Sequence, residues 1–132
     1  LRVQEIVGLK WKDVNLEAGT LRVLGKGRKV RTVNLSRSLL MALKELSAPH
    51  PDVPVIGATA NAARKRLKLA CHKAGVAYRG VHALRHYAGT RMVQSKLTLH
   101  DVARHLGHSS IETTQTYAKW ADDALKRALE GW

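Results

Sequence analysis

The sequence has 132 residues, with 23 Lys and Arg against 10 Asp and Glu, and a formal net charge of +13 at pH 7. That length builds one domain with a real core and leaves little for a second, while the single cysteine, Cys71, excludes an internal disulfide and fits a reducing cytoplasm. Apolar residues make up 45% of the chain, yet no run approaches the roughly 18 that a membrane helix needs, so the excess charge points to a polyanion and to nucleic acid first.

In chain order, residues 2–11 carry Val3, Ile6, Val7 and Leu9 at helical spacing, with Arg2 and Glu5 one turn apart on another face. The chain opens inside this element, without an initiator Met or a signal pattern, and a longer parent protein is expected. Near-alternation in 20–24 and 30–35, on either side of Gly25-Lys26-Gly27-Arg28-Lys29, predicts a β-hairpin with a glycine-flexible basic tip. Ser36 is a good N-cap for a helix whose apolar side holds Leu39, Leu40, Leu43 and Leu46. Pro49, Pro51 and Pro54 then break regular structure, leaving 53–56 as a short extended piece.

Residues 59–74 read as a further helix. Ala63, Leu67, Ala70, Cys71 and Ala74 form a small apolar stripe, with Cys71 as a small core residue, and Arg64, Lys65, Lys68 and His72 occupy the other side. That basic side is either a solvated face or one that meets DNA. The last third reads as four short helices: one begins near Val81, and the next two are opened by Thr98-Leu99-His100-Asp101 and Ser109-Ser110-Ile111-Glu112, both of capping-box form. The fourth covers 121–129, has Ala124, Leu125, Ala128 and Leu129 on its apolar side, and ends at Gly131.

Several residues in these elements suit phosphodiester chemistry. His82-Ala83-Leu84-Arg85 puts an imidazole and a guanidinium on one helix face, within reach of one phosphate. Alone this spacing is common on basic helices. Leu106-Gly107-His108-Ser109-Ser110 sets a histidine at a glycine-marked junction, and Tyr117 follows nine residues later, near the end of the helix that Ser109 opens. Alone, His108 reads equally as a loop hydrogen-bonder and Tyr117 as a packing residue.

The order of these residues resembles the catalytic domain of the tyrosine recombinase (phage integrase) family, from Arg2 to about Trp120. The matching features are an Arg followed by Glu three residues on, a Gly-Lys-Gly hairpin, a His-x-Leu-Arg-His box, a Leu-Gly-His-Ser box and a Tyr nine residues after that His. The resemblance implies an α+β, mainly helical fold, with a small antiparallel β-hairpin or sheet packed beside a helical core. It implies that Tyr117 attacks a backbone phosphorus to give a 3′-phosphotyrosine, that Arg2 and Arg85 hold the non-bridging oxygens, and that Lys26 protonates the leaving 5′-oxygen. Those roles suit the groups: guanidinium forks match phosphate and stay charged, whereas an ammonium can release a proton. A phenol of pKa about 10 is only about one part in a thousand ionised at pH 7, so it needs a proton acceptor or a positive site.

By the same resemblance His82 assists proton transfer and His108 binds the scissile phosphate, with the larger contribution undecided. Glu5 orients the cluster or makes an ordinary surface ion pair, and His86 is structural. Lys29 competes with Lys26, and Tyr87 and Tyr78 with Tyr117, less well placed in each case. Arg28, Lys29, Arg64, Lys65 and Lys68 are the expected DNA contacts. The scheme needs no metal and no cofactor. The implied partners are double-stranded DNA and, at full length, three further copies in a tetramer, with no membrane and a cytoplasmic location. The helix over 121–132 docks on a neighbouring copy or packs on its own domain. Without a core-binding domain, the chain alone is expected to be monomeric and to bind and cleave DNA weakly.

Two alternatives stay open: a non-catalytic DNA-binding module, including a decayed recombinase, and a type IB topoisomerase sharing the cleavage chemistry. A binder needs only the basic face, and has no use for Tyr117 in its setting.

Overall fold

The computed structural model describes residues 1–46, 50–108 and 111–130. It divides into two compact units, Leu1–Tyr78 and Arg79–Trp132.

The first unit begins with helix α1, Val3–Gly8, shorter than the periodicity predicts. Gly8 is a poor helix residue, and Leu9 turns extended, at φ −68° and ψ 128°, so that the chain can pair with the proline-rich segment. Val55 N–H donates to the Leu9 carbonyl at 2.9 Å and Trp11 N–H to the Val53 carbonyl at 3.1 Å. Of the short extended piece expected over 53–56, only Pro54 pairs in strand fashion, in one isolated bridge with Lys10, and the residues beside it are bent. After a 3₁₀ turn at Trp11–Asp13 comes a strand that the sequence does not signal, β1, Val14–Asn15. Strands β2, Thr20–Leu24, and β3, Val30–Asn34, form the predicted hairpin, and the antiparallel sheet order is β1-β2-β3.

Leu21 pairs with Val33 and Val23 with Arg31. The residues facing inward from this register, Leu21, Val23 and Val33, join Leu9 in a buried cluster. Each such side chain contributes about 1.5–3 kcal/mol on leaving water. Helix α2, Arg37–Glu45, starts at the Ser36 cap, whose hydroxyl accepts the Leu39 N–H at 3.3 Å. Its apolar side is only half used: Leu43 is buried, but Leu39 and Leu46 are exposed. Helix α3, Ala60–Lys73, is capped by Thr59, which accepts the Ala62 N–H at 3.1 Å. No residue of α3 is fully buried; Cys71 is half-buried, not the core residue expected.

The second unit opens with helix α4, Val81–Gln94, far from short. Helix α5, Leu99–Leu106, has the predicted capping box: Thr98 Oγ1 accepts the Asp101 N–H at 3.1 Å, and Asp101 accepts the Thr98 N–H at 3.4 Å. Gly107, at φ 73°, ends it in the left-handed conformation that glycine tolerates. The expected Ser109-Ser110 cap lies outside the described residues. Helix α6 is only Ile111–Thr114; a 3₁₀ turn at Gln115–Tyr117 follows, then helix α7, Ala118–Glu130. Tyr117 therefore sits on that turn and not on a helix running from Ser109. The expected end of α7 at Gly131, and the side chains of Ala124, Leu125 and Ala128, lie outside the described residues. Leu129, expected on its apolar side, is exposed. Val93, Val102, Leu106 and Tyr117 form the core of this unit, with Met92 and Leu99 against it.

Candidate active site

In the first unit, Arg2 is the N-cap of α1 and is exposed. Its backbone N–H donates to Glu5 Oε2 at 2.7 Å, and its Nη1 lies 3.4 Å from Glu5 Oε1. The main partner of Glu5 is a residue that the sequence reading passes over. Arg31 donates from Nη1 to Oε1 and from Nη2 to Oε2, each at 3.0 Å, a bidentate pair with both side chains largely buried. Glu5 is therefore no surface ion pair. Burial pushes its carboxyl upward, but the Arg31 and Arg2 hydrogen bonds and the Arg31 charge outweigh this and hold it at about 2. A signal for Arg31 does exist. It stands two residues before Val33 and so shares the inward face of β3, while Val30 points out and is exposed. An arginine on an inward face requires an acid.

The pair lies at the base of the hairpin. A Cβ at Gly25 would come within 3.3 Å of Arg31 Nη1 and 3.7 Å of Glu5 Oε1. Beyond it, the Gly25 N–H donates to the Lys29 carbonyl at 2.7 Å, and Lys26–Arg28 form a 3₁₀ turn in which Gly27 has φ 70° and Arg28 φ 59°. Lys26, Arg28 and Lys29 are all exposed there, and so are Arg64, Lys65 and Lys68 on α3. Arg64 bonds its neighbour Asn61 at 3.0 Å.

In the second unit, Gly80 with φ 84° admits the chain to α4. Arg85, Gly89 and Val93 succeed one another at four-residue spacing on its buried face. His82 stays exposed one turn before Arg85. The Arg85 guanidinium is buried and donates from Nη2 to the Leu106 carbonyl at 2.6 Å, at the C-terminal end of α5, where helix carbonyls attract cations. Just past that end, His108 Nδ1 and Thr114 Oγ1 are 2.6 Å apart. Thr114 is fully buried, so the bond fixes the imidazole plane, and the tautomer depends on which group donates.

Tyr117 is 4% exposed. Its ring lies 5.1 Å from the His86 ring, so His86, expected to be structural, touches the candidate nucleophile. A Cβ built on Gly89 would stand 2.6 Å from its Cζ and 2.7 Å from its hydroxyl. Burial raises the phenol's pKa, and the charge of Arg85 opposes the rise. The competing Tyr87 is exposed, with the Arg91 guanidinium 5.9 Å above its ring. Thr114 and Gly89 were invisible in the sequence, since neither carries a motif, and the box that contains Leu106 does not single out its carbonyl. Among the described residues, no three His, Cys, Asp or Glu converge as metal ligands. No helix among them is long and apolar enough to cross a membrane.

Comparison with known proteins decides the family: its model, described as the phage integrase family, matches residues 1–123. The chain belongs to the phage integrase family. Two curated relatives in it are tyrosine recombinases. XerC of Xylella fastidiosa is 35% identical over 127 residues, 89% of this chain and 43% of the relative. XerA of Pyrococcus furiosus is 34% identical over 142 residues, 98% of this chain and 49% of the relative. The chain thus spans less than half the length of these two relatives.

Among solved structures of phage integrase relatives, a XerA recombinase crystal structure has a TM-score of 0.78 at 26% identity, covering 98% of this chain and 52% of that one. XerH recombinase bound to a palindromic difH substrate in a post-cleavage complex has a TM-score of 0.71 at 28% identity, covering 97% of this chain and 41% of that one. The expected α+β, mainly helical fold is the one this chain shares with them.

Proposed function

We propose that the protein carries out site-specific recombination of double-stranded DNA, by cleaving and rejoining a strand through a 3′-phosphotyrosine. The observation that carries this reading is Tyr117, a tyrosine set beside Arg85 and His86 on α4 in a chain of this family. Relatives that are tyrosine recombinases, and a related XerH structure in a post-cleavage complex with its difH substrate, support it.

In this scheme the phenolic oxygen of Tyr117 bonds to phosphorus as the bond from phosphorus to the 5′-oxygen breaks. His82 takes part in moving the phenolic proton, and Lys26 supplies one to the departing oxygen. Arg2 and Arg85 hold the non-bridging oxygens and stabilise the charge that grows in the transition state. His108, steadied by Thr114, donates to the same phosphate. The bond energy kept in the phosphotyrosine allows rejoining without a nucleotide. Arg28, Lys29, Arg64, Lys65 and Lys68 lie on the DNA backbone, and the working assembly is a tetramer on DNA in the cytoplasm.

A nicked suicide substrate tests this reading on the protein at its full natural length. Wild type is expected to form an adduct that survives detergent, and Tyr117→Phe to form none. An adduct with Tyr117→Phe removes Tyr117 as the nucleophile. Tight DNA binding with no adduct from wild type leaves a DNA-binding module in its place.

A further inference from the structure

We propose that Gly89 is the seat of the Tyr117 ring: a positioning residue whose missing side chain lets the nucleophile rest, sheltered, against the backbone of α4, from which it must lift before it can attack. The inference rests on the reading of Tyr117 as the nucleophile. Gly89 is well inside α4, the ninth of its 14 residues, where glycine is a poor helix former. Its backbone does not need glycine, because it is absent from the positive-φ glycines. Space is the remaining reason. A Cβ there would come 2.6 Å from Cζ, 2.7 Å from the hydroxyl and 2.9 Å from Cε1 of Tyr117, all closer than real Cβ contacts come.

The atoms in the way belong to a rigid ring and cannot give like the tip of a lysine. Around it, His86 lies at 5.1 Å, and Val93, Val102 and Leu106 complete the cluster that holds the ring. At 4% exposure the ring is almost wholly covered by its own unit, which leaves a duplex phosphate little access to it. The segment that carries it is a three-residue 3₁₀ turn between two helices, a form often found where a chain hinges. Burial in the seat also pushes the phenol's pKa upward, against the charge of Arg85.

Gly89→Ala tests the seat in three ways. With Tyr78→Phe and Tyr87→Phe removing the other phenols, the ultraviolet titration of Tyr117 is expected to fall toward that of an ordinary tyrosine. Gly89→Ala is expected to lower Tm when Tyr117 is present and to raise it in a Tyr117→Ala background, where the ring no longer opposes the better helix former. That double variant also keeps the test open if Gly89→Ala alone folds poorly. On a suicide substrate, adduct formation is expected to be severalfold faster with DNA affinity unchanged. An unmoved titration, or equal Tm losses in both backgrounds, overturns the seat. Slower adduct formation at unchanged affinity makes the seated pose the attacking one and overturns the resting state. The first two measurements need no DNA, so they stand apart from an adduct formed by Tyr117→Phe, which would sink only the nucleophile.

Discussion

Arg31 meets Glu5 end on, with two guanidinium nitrogens each 3.0 Å from a different carboxylate oxygen. Both side chains are largely buried, so removing one leaves the other charged and unsolvated. Arg31→Met is expected to destabilise the protein by about 3 kcal/mol, read by urea unfolding at pH 7. The pair also sets a pH dependence. The folded carboxyl titrates at about 2 and the ordinary one at 4.5, so its contribution is complete above 4.5 and is lost as pH falls toward 2. Wild type should lose stability across that window, and Glu5→Gln should show a flatter profile; identical profiles would contradict the assignment.

Lys26, the proposed proton donor to the leaving oxygen, stands on an exposed turn. Lys26→Ala is expected to slow cleavage by about 10²–10⁴-fold. A substrate with a 5′-bridging sulfur, whose thiolate departs without a proton, should restore most of the rate. Lys29→Ala should show no sulfur-specific recovery, and failure of Lys26→Ala to recover would move the acid role elsewhere.

Thr114 has one evident task, the 2.6 Å bond to His108. Thr114→Val keeps the shape and removes the hydroxyl, leaving a part-buried ring nitrogen with a lost partner. We expect a loss of about 1–2 kcal/mol and slower adduct formation, while Thr114→Ser retains both. Equal rates for the Val and Ser variants would free His108 of any dependence on this contact.

The basic face of α3 is exposed along Arg64, Lys65 and Lys68. If all three lie on phosphates, replacing them with Ala should make the slope of log affinity against log salt shallower by about 2.7, at roughly 0.9 per phosphate. An unchanged slope would leave the face solvated. Binding isotherms at several salt concentrations give the answer.

Much of this molecule was legible in its sequence where one local rule governed. Ser36 and Thr98 both cap the helices they were expected to open, because an N-cap hydroxyl acts within three residues of itself. The hairpin follows from alternation and glycine. Longer-range competition was not legible. Leu9 and Trp11 continue a helical pattern, yet they leave α1 to pair with Val53 and Val55, more than forty residues on. Of the candidate residues, sequence supplied the groups with known chemistry and missed those that hold them. Thr114 and Gly89 matter through what stands opposite them in space, and nothing in their near neighbours announces it; Arg31 is announced only by its place on the inward face of β3, two residues before Val33.

One anchor of Arg85 is a main-chain oxygen, that of Leu106. Genetic drift at position 106 can change volume or branching, but every amino acid placed there brings the same carbonyl. A saturation library at that codon would therefore score hydrophobic fit alone, and the arginine's tether would stay hidden from it. Only a change in the path of the polypeptide, such as an insertion ahead of Gly107, could cut it. A contact of this kind leaves no trace in the identity of the residue that makes it.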